Sequence, residues 1–303
     1  MVHRTTVTLT QLRYFIESAE QLNMTRAAQL LHVAQSAVST AISQLEAQVN
    51  TQLFVRRRAT GIQLTAAGKQ LLRDARNLLA SLDEALDAAR GQGGDIRGTI
   101  RIACFVTLAP FVIPSLLARL GEKYPELTVE VVEADAAAIE DTVHSGDAEL
   151  AIAYDFDYSA DIDCESVATS APYVLLPKDH KLASKSRIKL TQLADEPMIL
   201  LDLPRSREYF VKMLSDAGVV PVVRYRSDSY EAVRTLVARG HGFSILNQRP
   251  ASTLTYDGSE VAELDIAEGG VPLSIVLVTL NSVHATARAR AVAVEVRRHF
   301  ANQ

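Results

Sequence analysis

Apolar positions early in the chain step by three and four. Leu9, Leu12, Phe15, Ile16, Ala19 and Leu22 recur at helical spacing. Asn23 then offers an N-cap for a short helix, "MTRAAQLL". "HVA" is a tight connection to a second helix predicted from about Gln35 to Val49. Its Val38, Ala41, Ile42, Leu45 and Val49 make a core-facing stripe. Asn50 follows, a residue that tolerates the left-handed conformation in which helices stop. "QLFVRRRATGIQLT" then reads as two short strands around a turn containing Gly61. Two such helices followed by a β-hairpin make a winged helix-turn-helix.

From Thr65 a long helix is predicted. Leu71, Ala75, Leu78, Leu82, Ala85 and Ala89 step alternately by four and three, and Leu72, Leu79 and Leu86 step by seven. This is a coiled-coil seam of about three heptads, roughly 36 Å long from Ala66 to Ala89 at 1.5 Å per residue. A helix packed only on its own domain is the simpler reading, but a leucine repeat on two adjacent positions suits a partner helix better. "GQGGD" (91–95) ends the helix as a hinge. Beyond it strands alternate with helices: "GTIRIACF", "APFVIPSLLARLGEKYP", "LTVEVVEA", "AAAIEDTVHSG", "AELAIAY". "YVLLPKDH", "PMILLD", "PVVRYRS", "FSILNQ" and "VPLSIVLVTL" add strands, and "SREYFVKMLSDAG", "YEAVRTLVARG" and Ala285–Phe300 add helices. This alternation predicts an α/β domain with a mostly parallel sheet.

The 303 residues, 48% hydrophobic and 22% charged, suffice for two or three domains. The net charge of −5 taken alone argues against nucleic acid. Counted by region it does not. Residues 1–70 hold seven Lys and Arg against three Asp and Glu, a balance of +4, and the rest of the chain carries −9. A basic head sits on an acidic body. Cys104 and Cys164 are too few for a disulfide framework and lack metal-ligand spacing. No apolar run reaches about 18 residues, and "MVHRTTVTLTQ" lacks the apolar core of a signal peptide. A cytoplasmic protein with no membrane partner is expected.

Enzymatic chemistry would need a nucleophile with a base, a metal cluster or a phosphate loop. Seven histidines are scattered, with no HExxH and no pair at ligand spacing, and there is no GxSxG elbow. "GHGF" is a helix-to-strand turn, and His241 a loop histidine. Asp155 and Asp157 flank an aromatic residue, an arrangement that more often binds a ligand group or caps a turn than performs acid/base work. No enzyme, metal or cofactor is expected.

The face of the second helix opposite its core stripe is Gln35, Ser36, Ser39, Thr40 and Ser43. Ordinary solvated faces carry Lys and Glu, and this one carries neither. Small polar side chains let a helix approach base edges in the major groove, where Gln pairs bidentately with adenine. Arg56, Arg57 and Arg58, on the hairpin, would hold the phosphate backbone or enter the minor groove. "TRAAQLLHVAQSAVSTAISQLEAQVNTQLFVRRRATGIQLTAAGKQLL" resembles the signature of LysR-type transcriptional regulators. The landmarks are Arg26–Ala27–Ala28, Leu30, Gln35, Ser39, Ile42, Leu45–Glu46, Leu53–Phe54, Arg56, Leu64–Thr65 and Gly68. The likeness continues through "DAELAIAY", "KLASKSRIKLTQLADEPMIL" and "VARGHGFSIL". It adds Arg26 to the DNA-binding set. Ala34, Thr40 and Asn50 depart from the family's usual Ser, Arg and Gly, so the reading helix lacks a side-chain N-cap and one contact to phosphate or base.

The resemblance implies an α/β chain: N-terminal winged helix-turn-helix, long linker helix, and a C-terminal two-lobed effector domain built like a type II periplasmic binding protein. The expected boundaries are 1–65 for the DNA-binding domain, 66–90 for the dimerising linker helix, 91–96 for the hinge and 97–303 for the effector domain. Lobe I is about 97–167 and 270–303, and lobe II about 168–269. The resemblance further implies a dimer, commonly a tetramer, on an inverted-repeat operator, and contact with RNA polymerase.

Ligands of such two-lobed α/β domains bind where strand C-termini meet helix N-termini. The strand ends supply Thr107 and Leu108, Ala134, Tyr154 and Asp155, Leu203, Pro204, Arg205 and Ser206, and Ser227, Asp228 and Ser229. Tyr154 and Asp155 mark the expected crossing to the second lobe, and Asp228 with Glu231 fits a capping box. Thr107, Ser206 and Asp228 read equally as simple helix caps. Arg205 and the helix N-termini favour an anionic group on a small effector, and Asp155 an amine. A solute-binding protein predicts a signal peptide and no basic head. An enzyme with a regulatory head predicts a catalytic constellation. Neither is found.

Overall fold

The computed structural model describes residues 7–57, 61–89, 96–281, 283 and 285–301. The chain divides into two compact units, the first holding residues up to Ile96 together with His144–Asp147 and Val283–Ala287, the second the remainder from Arg97.

The first unit begins with α1 (Leu9–Gln21), α2 (Met24–Leu30) and α3 (Gln35–Val49). Thr8 caps α1 in a capping box with Gln11. Asn23 caps α2, its side-chain oxygen accepting from the N–H groups of Thr25 and Arg26 at 2.9 and 3.1 Å. The connection to α3 turns through His32 at φ 55°. Asn50 ends α3 in the left-handed region at φ 50°, ψ 38°. The hairpin β1 (Phe54–Arg57) and β2 (Gly61–Leu64) is antiparallel, with Phe54 opposite Leu64. α4 (Ala66–Ala89) follows.

One core joins all of these. Leu12, Phe15 and Ala19 of α1 meet Val38, Ile42 and Leu45 of α3, and Leu53, Phe54 and Ile62 of the hairpin. Phe15 and Phe54 lie with ring centroids 5.4 Å apart. Leu72 and Ala75 of α4 close this core. The near end of the leucine seam is therefore spent on its own domain, while Leu78 and Leu86 further along stay 53% and 44% exposed. Val49, placed in the α3 core stripe from sequence, is exposed: it stands at the last turn, beyond the reach of α1 and the hairpin. The expected hinge at 91–95 lies outside the described residues.

The second unit holds two sheets of different character. Lobe I is a five-stranded sheet ordered β4-β3-β5-β13-β6, formed by β3 (Gly98–Phe105), β4 (Leu127–Ala134), β5 (Leu150–Tyr154), β6 (Ile162–Ser170) and β13 (Leu273–Leu280). The helices α5 (Ala109–Lys123), α6 (Ala136–His144) and α9 (Ala287–Ala301) belong to it. β4, β3 and β5 run parallel, whereas β13 is antiparallel to both β5 and β6. Both outer strands expose charged and polar side chains: β4 exposes Thr128, Glu130 and Glu133, and β6 exposes Asp163 and Glu165.

Lobe II comprises β7 (Tyr173–Pro177), β8 (Arg187–Ile188), β11 (Ser244–Leu246) and β12 (Val261–Ile266) in the order β11-β7-β12-β8. Beside them β9 (Pro197–Leu201) pairs in parallel with β10 (Val222–Ser227). α7 (Ser206–Asp216) and α8 (Tyr230–Ala238) complete the lobe. Because β7 is antiparallel to both β11 and β12, the sheets are mixed rather than mostly parallel. The crossing between lobes falls beyond the expected mark at Tyr154 and Asp155, close to the expected lobe boundary near 167. After Tyr154 the chain stays in lobe I for the whole of β6, and it passes to lobe II only between Ser170 and Tyr173. It returns between Ile266 and Leu273.

Candidate functional site

The first candidate surface is α3. At 100° per residue, Gln35, Ser36, Ser39, Thr40 and Ser43 fall within an arc of about 140°. The core residues Val38, Ile42 and Leu45 lie outside that arc and are buried. Gln35, Ser36, Thr40 and Ser43 are exposed and Ser39 is half-buried. The helix holds one charged residue, Glu46, and that carboxylate points inward. Its Oε1 accepts from the backbone N–H of Leu53 at 2.8 Å and of Phe54 at 3.1 Å, tying α3 to the root of the hairpin. The outward face is thus free of charge because its one acid serves the fold. Ala34 stands at the N-cap of α3 with no side-chain hydrogen bond, as its methyl group requires. Arg26 is exposed on α2. Arg56 and Arg57 lie on β1, two and three residues after the core residue Phe54. Arg58 lies outside the described residues.

The second candidate is the junction between the two lobes. β3, β4 and β5 end in register, Phe105 beside Ala134 and Cys104 beside Ile152. This gathers Thr107, Leu108, Ala134, Tyr154 and Asp155 at one edge of lobe I. In lobe II, Leu201 pairs with Ser227 and the Asp202 N–H donates to the Ser227 carbonyl at 2.8 Å. That brings Leu203–Ser206 beside Ser227–Ser229.

Thr107, Leu108, Ala134, Tyr154, Leu203 and Ser206 are buried, Pro204, Arg205 and Ser227 half-buried, and Asp155, Asp228 and Ser229 exposed. The helix caps fall differently from the sequence reading. Leu108, not Thr107, occupies the cap of α5, and Arg205, not Ser206, that of α7. The cap of α8 is Ser229, whose oxygen accepts from the Ala232 N–H at 3.3 Å. Asp228 sits one residue too early, and Glu231 pairs with Arg234 at 2.8 Å instead of closing a capping box. Asp157 takes a positive φ of 54°, a turn residue.

Residues that no local pattern marked form the centre of this region. Gln248 donates from Nε2 to the Tyr154 hydroxyl and to Ser170 Oγ, both at 3.0 Å. Its carbonyl accepts from the hydroxyls of Tyr173 at 2.7 Å and Tyr230 at 2.5 Å. Ser170 donates in turn to the Asn247 carbonyl at 2.9 Å. Asn247 and Gln248 thereby fasten lobe II to lobe I beside the chain crossing. Around this hub rings pack edge-on or tilted against one another. Phe105 lies 5.2 Å from Tyr154 and 5.8 Å from Phe156, and Phe111 of α5 lies 6.2 Å from Tyr230 of α8. Burial pushes the Tyr154 hydroxyl up to about 12, so it stays a neutral donor and acceptor. Arg205 is already engaged: it pairs with Glu140 and lies over the Tyr158 ring.

Among the described residues no cluster of His, Cys, Asp and Glu is placed to hold a metal ion, and no helix is long and apolar enough to cross a membrane.

Residues 9–69 match the bacterial regulatory helix-turn-helix protein model of the lysR family, and residues 93–301 match the LysR substrate binding domain. The HTH-type transcriptional regulator YvbU of Bacillus subtilis (strain 168) is 30% identical over 247 residues, 81% of this chain and 83% of its own. A probable hydrogen peroxide-inducible genes activator of Mycobacterium avium is 29% identical, over 88% of this chain and 84% of its own. Among solved structures, HinK, a LysR family transcriptional regulator from Pseudomonas aeruginosa, is 34% identical with a TM-score of 0.65, covering 97% of this chain and 99% of its own.

Proposed function

This chain belongs to the LysR family of DNA-binding transcriptional regulators with an effector-binding domain, and from that premise we propose how its two halves divide the work. α3 enters the major groove and reads bases through Gln35, Ser36, Ser39, Thr40 and Ser43. Arg26 and the wing arginines Arg56, Arg57 and Arg58 hold phosphates. The exposed part of the α4 seam pairs with a second copy, so that two heads address an inverted repeat. Dimers of this kind would assemble further into tetramers. The junction between the lobes takes a small metabolite, and lobe movement passes its presence to DNA and to RNA polymerase. The work is recognition rather than catalysis, in the cytoplasm.

The observation that carries this reading is the charge-free outer face of α3. Groove reading needs short polar groups at close range, and the inward turn of Glu46 removes the one acid that would repel phosphate. Arg57→Ala is the direct test. It should weaken specific and nonspecific DNA alike and lower the slope of log affinity against log salt by about 0.9, the value of one phosphate contact. Fluorescence anisotropy across a salt series measures both. An unchanged slope would remove the wing from the interface.

The likeness to a peroxide-inducible activator raises the question of thiol sensing. Cys104 and Cys164 do not support it. Cys104 is buried, and burial pushes its thiol far up; Cys164 is raised to about 11, again chiefly by burial. Thiolate is the reactive form. Cys104 pairs in register with Ile152, Ile152 with Leu277, and Leu277 with Glu165, so three strand spacings separate Cys104 from the row of Cys164. That is about 14 Å, against the 7 Å or less between Cα atoms that a disulfide requires. A thiol reagent such as dithionitrobenzoate should leave the native protein nearly unlabelled and label two thiols in denaturant. Rapid native labelling, or a disulfide after peroxide, would reopen a redox role.

A further inference from the structure

Glu140 and Arg205 meet across the junction of the two lobes. Glu140 lies on α6 of lobe I, and Arg205 stands at the cap of α7 in lobe II. Arg205 pairs through Nη2 with Glu140 Oε2, donates from Nη1 to the Phe156 carbonyl at 3.4 Å, and covers the Tyr158 ring at 5.2 Å. The second oxygen of Glu140 accepts the Ser159 N–H at 3.1 Å. None of these residues belongs to the segments by which the chain passes between lobes, so the contact is purely noncovalent. It is also shielded: the side chains of Arg205 and Glu140 are 33% and 16% exposed. Arg205 takes φ 65°, ψ −34°, a conformation outside the ordinary wells of a non-glycine residue, which persists only where surroundings enforce it. Beside the pair, the Tyr158 hydroxyl is buried without a hydrogen-bond partner.

We propose that Glu140 and Arg205 latch the two lobes together, with Glu140 holding the guanidinium seat that a carboxylate of the effector takes when it binds. The chemistry follows from exchange. Separating the pair leaves a poorly solvated guanidinium without its anion, which is costly. An incoming carboxylate repeats the charge and planar geometry of the Glu140 group, so the guanidinium stays paired while Glu140 is released. A neutral or cationic compound offers no such replacement. The latch rests on the reading of this unit as the sensor, and it narrows the effector to compounds bearing a carboxylate.

The test is a distance across the junction in the full-length protein. Cysteines placed at exposed Ala137 on α6 and exposed Ser215 on α7 carry spin labels, with the labelled chain diluted into unlabelled protein. The parent should give one narrow, short distance. Glu140→Ala and Glu140→Gln should each lose that population. In the parent, sodium propionate should abolish it as well, because a free carboxylate takes the guanidinium seat and releases Glu140, and equal ionic strength of sodium chloride should do nothing. In Glu140→Ala propionate should change nothing further. The latch is overturned if Glu140→Ala keeps the parent distribution, if propionate leaves the parent distribution unchanged, or if chloride matches propionate. DNA binding measured on the same samples separates the two readings. Retained binding with an unchanged distance would remove the latch and leave the regulator.

Discussion

Gly68→Ala should lower the melting temperature of the head by about 8–16 °C, although alanine is the better helix former. A Cβ at this position would stand 2.2 Å from the Leu53 carbonyl oxygen and 2.9 Å from Leu64 Cδ2. The first turn of α4 packs directly on the root of the wing there. Thr65 pins it, accepting the Gly68 N–H at 2.9 Å and donating its own hydroxyl to Gln52. Helix propensity favours alanine over glycine by about 1 kcal/mol. Pressing a methyl group against backbone costs about 3 kcal/mol, because a carbonyl cannot rotate aside as a side chain can. The clash wins by about 2 kcal/mol, and each kcal/mol is worth about 4–8 °C in a domain of this size. DNA affinity should fall with it, since the displaced turn carries the wing. Gly121→Ala is the control. Nothing lies within 4 Å of a Cβ in that helix, so only the propensity gain remains and stability should rise. Calorimetry of both variants decides the matter, and a Gly68→Ala head as stable as its parent would contradict the packing described.

Gln35→Ala should collapse sequence preference while leaving the fold intact. Gln35 is exposed at the first turn of α3 and supports no other element through a side-chain bond described here. A bidentate contact to a base is worth about 1–3 kcal/mol of discrimination, roughly 5- to 150-fold in the ratio of specific to nonspecific affinity. The salt slope should stay where it was, because no phosphate contact is lost. This pattern is the reverse of that expected for Arg57→Ala. A competition titration of operator against random duplex separates them. Equal losses on both DNAs would mean that Gln35 touches backbone instead of base.

The head was readable almost residue by residue because its signals are local. The Asn23 cap, the left-handed Asn50 and the bare Ala34 each depend on neighbours a few positions away. Glu46 shows the limit of such reading: its inward turn depends on the N–H groups of Leu53 and Phe54, and no pattern within α3 announces it. In the body, strand and helix alternation located most elements, but β6, β8 and β12 escaped. β6 is an outer strand with scattered polar residues, so it lacks the apolar run of β5. For the same reason the crossing was marked at Tyr154 and Asp155, although the expected lobe boundary near 167 lies close to the observed one. The cap at Ser229 was missed because Asp228 fits the local pattern equally well one residue earlier. The hub around Gln248 was invisible in principle. Its partners Tyr154, Ser170, Tyr173 and Tyr230 come from four separate elements or their ends, and only tertiary packing assembles them. Arg205 was marked for an anionic group of the effector, whereas it already holds Glu140, 65 positions away.

The outer strands of lobe I bear on how the protein behaves when concentrated. An open sheet edge offers unpaired backbone groups to any passing strand, and long apolar edges recruit other chains into aggregates. Here one margin carries Glu130 and Glu133 and the other Asp163 and Glu165, with Glu130 paired to Arg101 and Glu165 to Arg297. A second molecule approaching edge to edge would have to strip water from these charged groups and break the pairs. Charged margins of this kind disfavour joining sheet to sheet and leave uncovered apolar side chains such as Leu78 and Leu86 as the more favourable meeting ground.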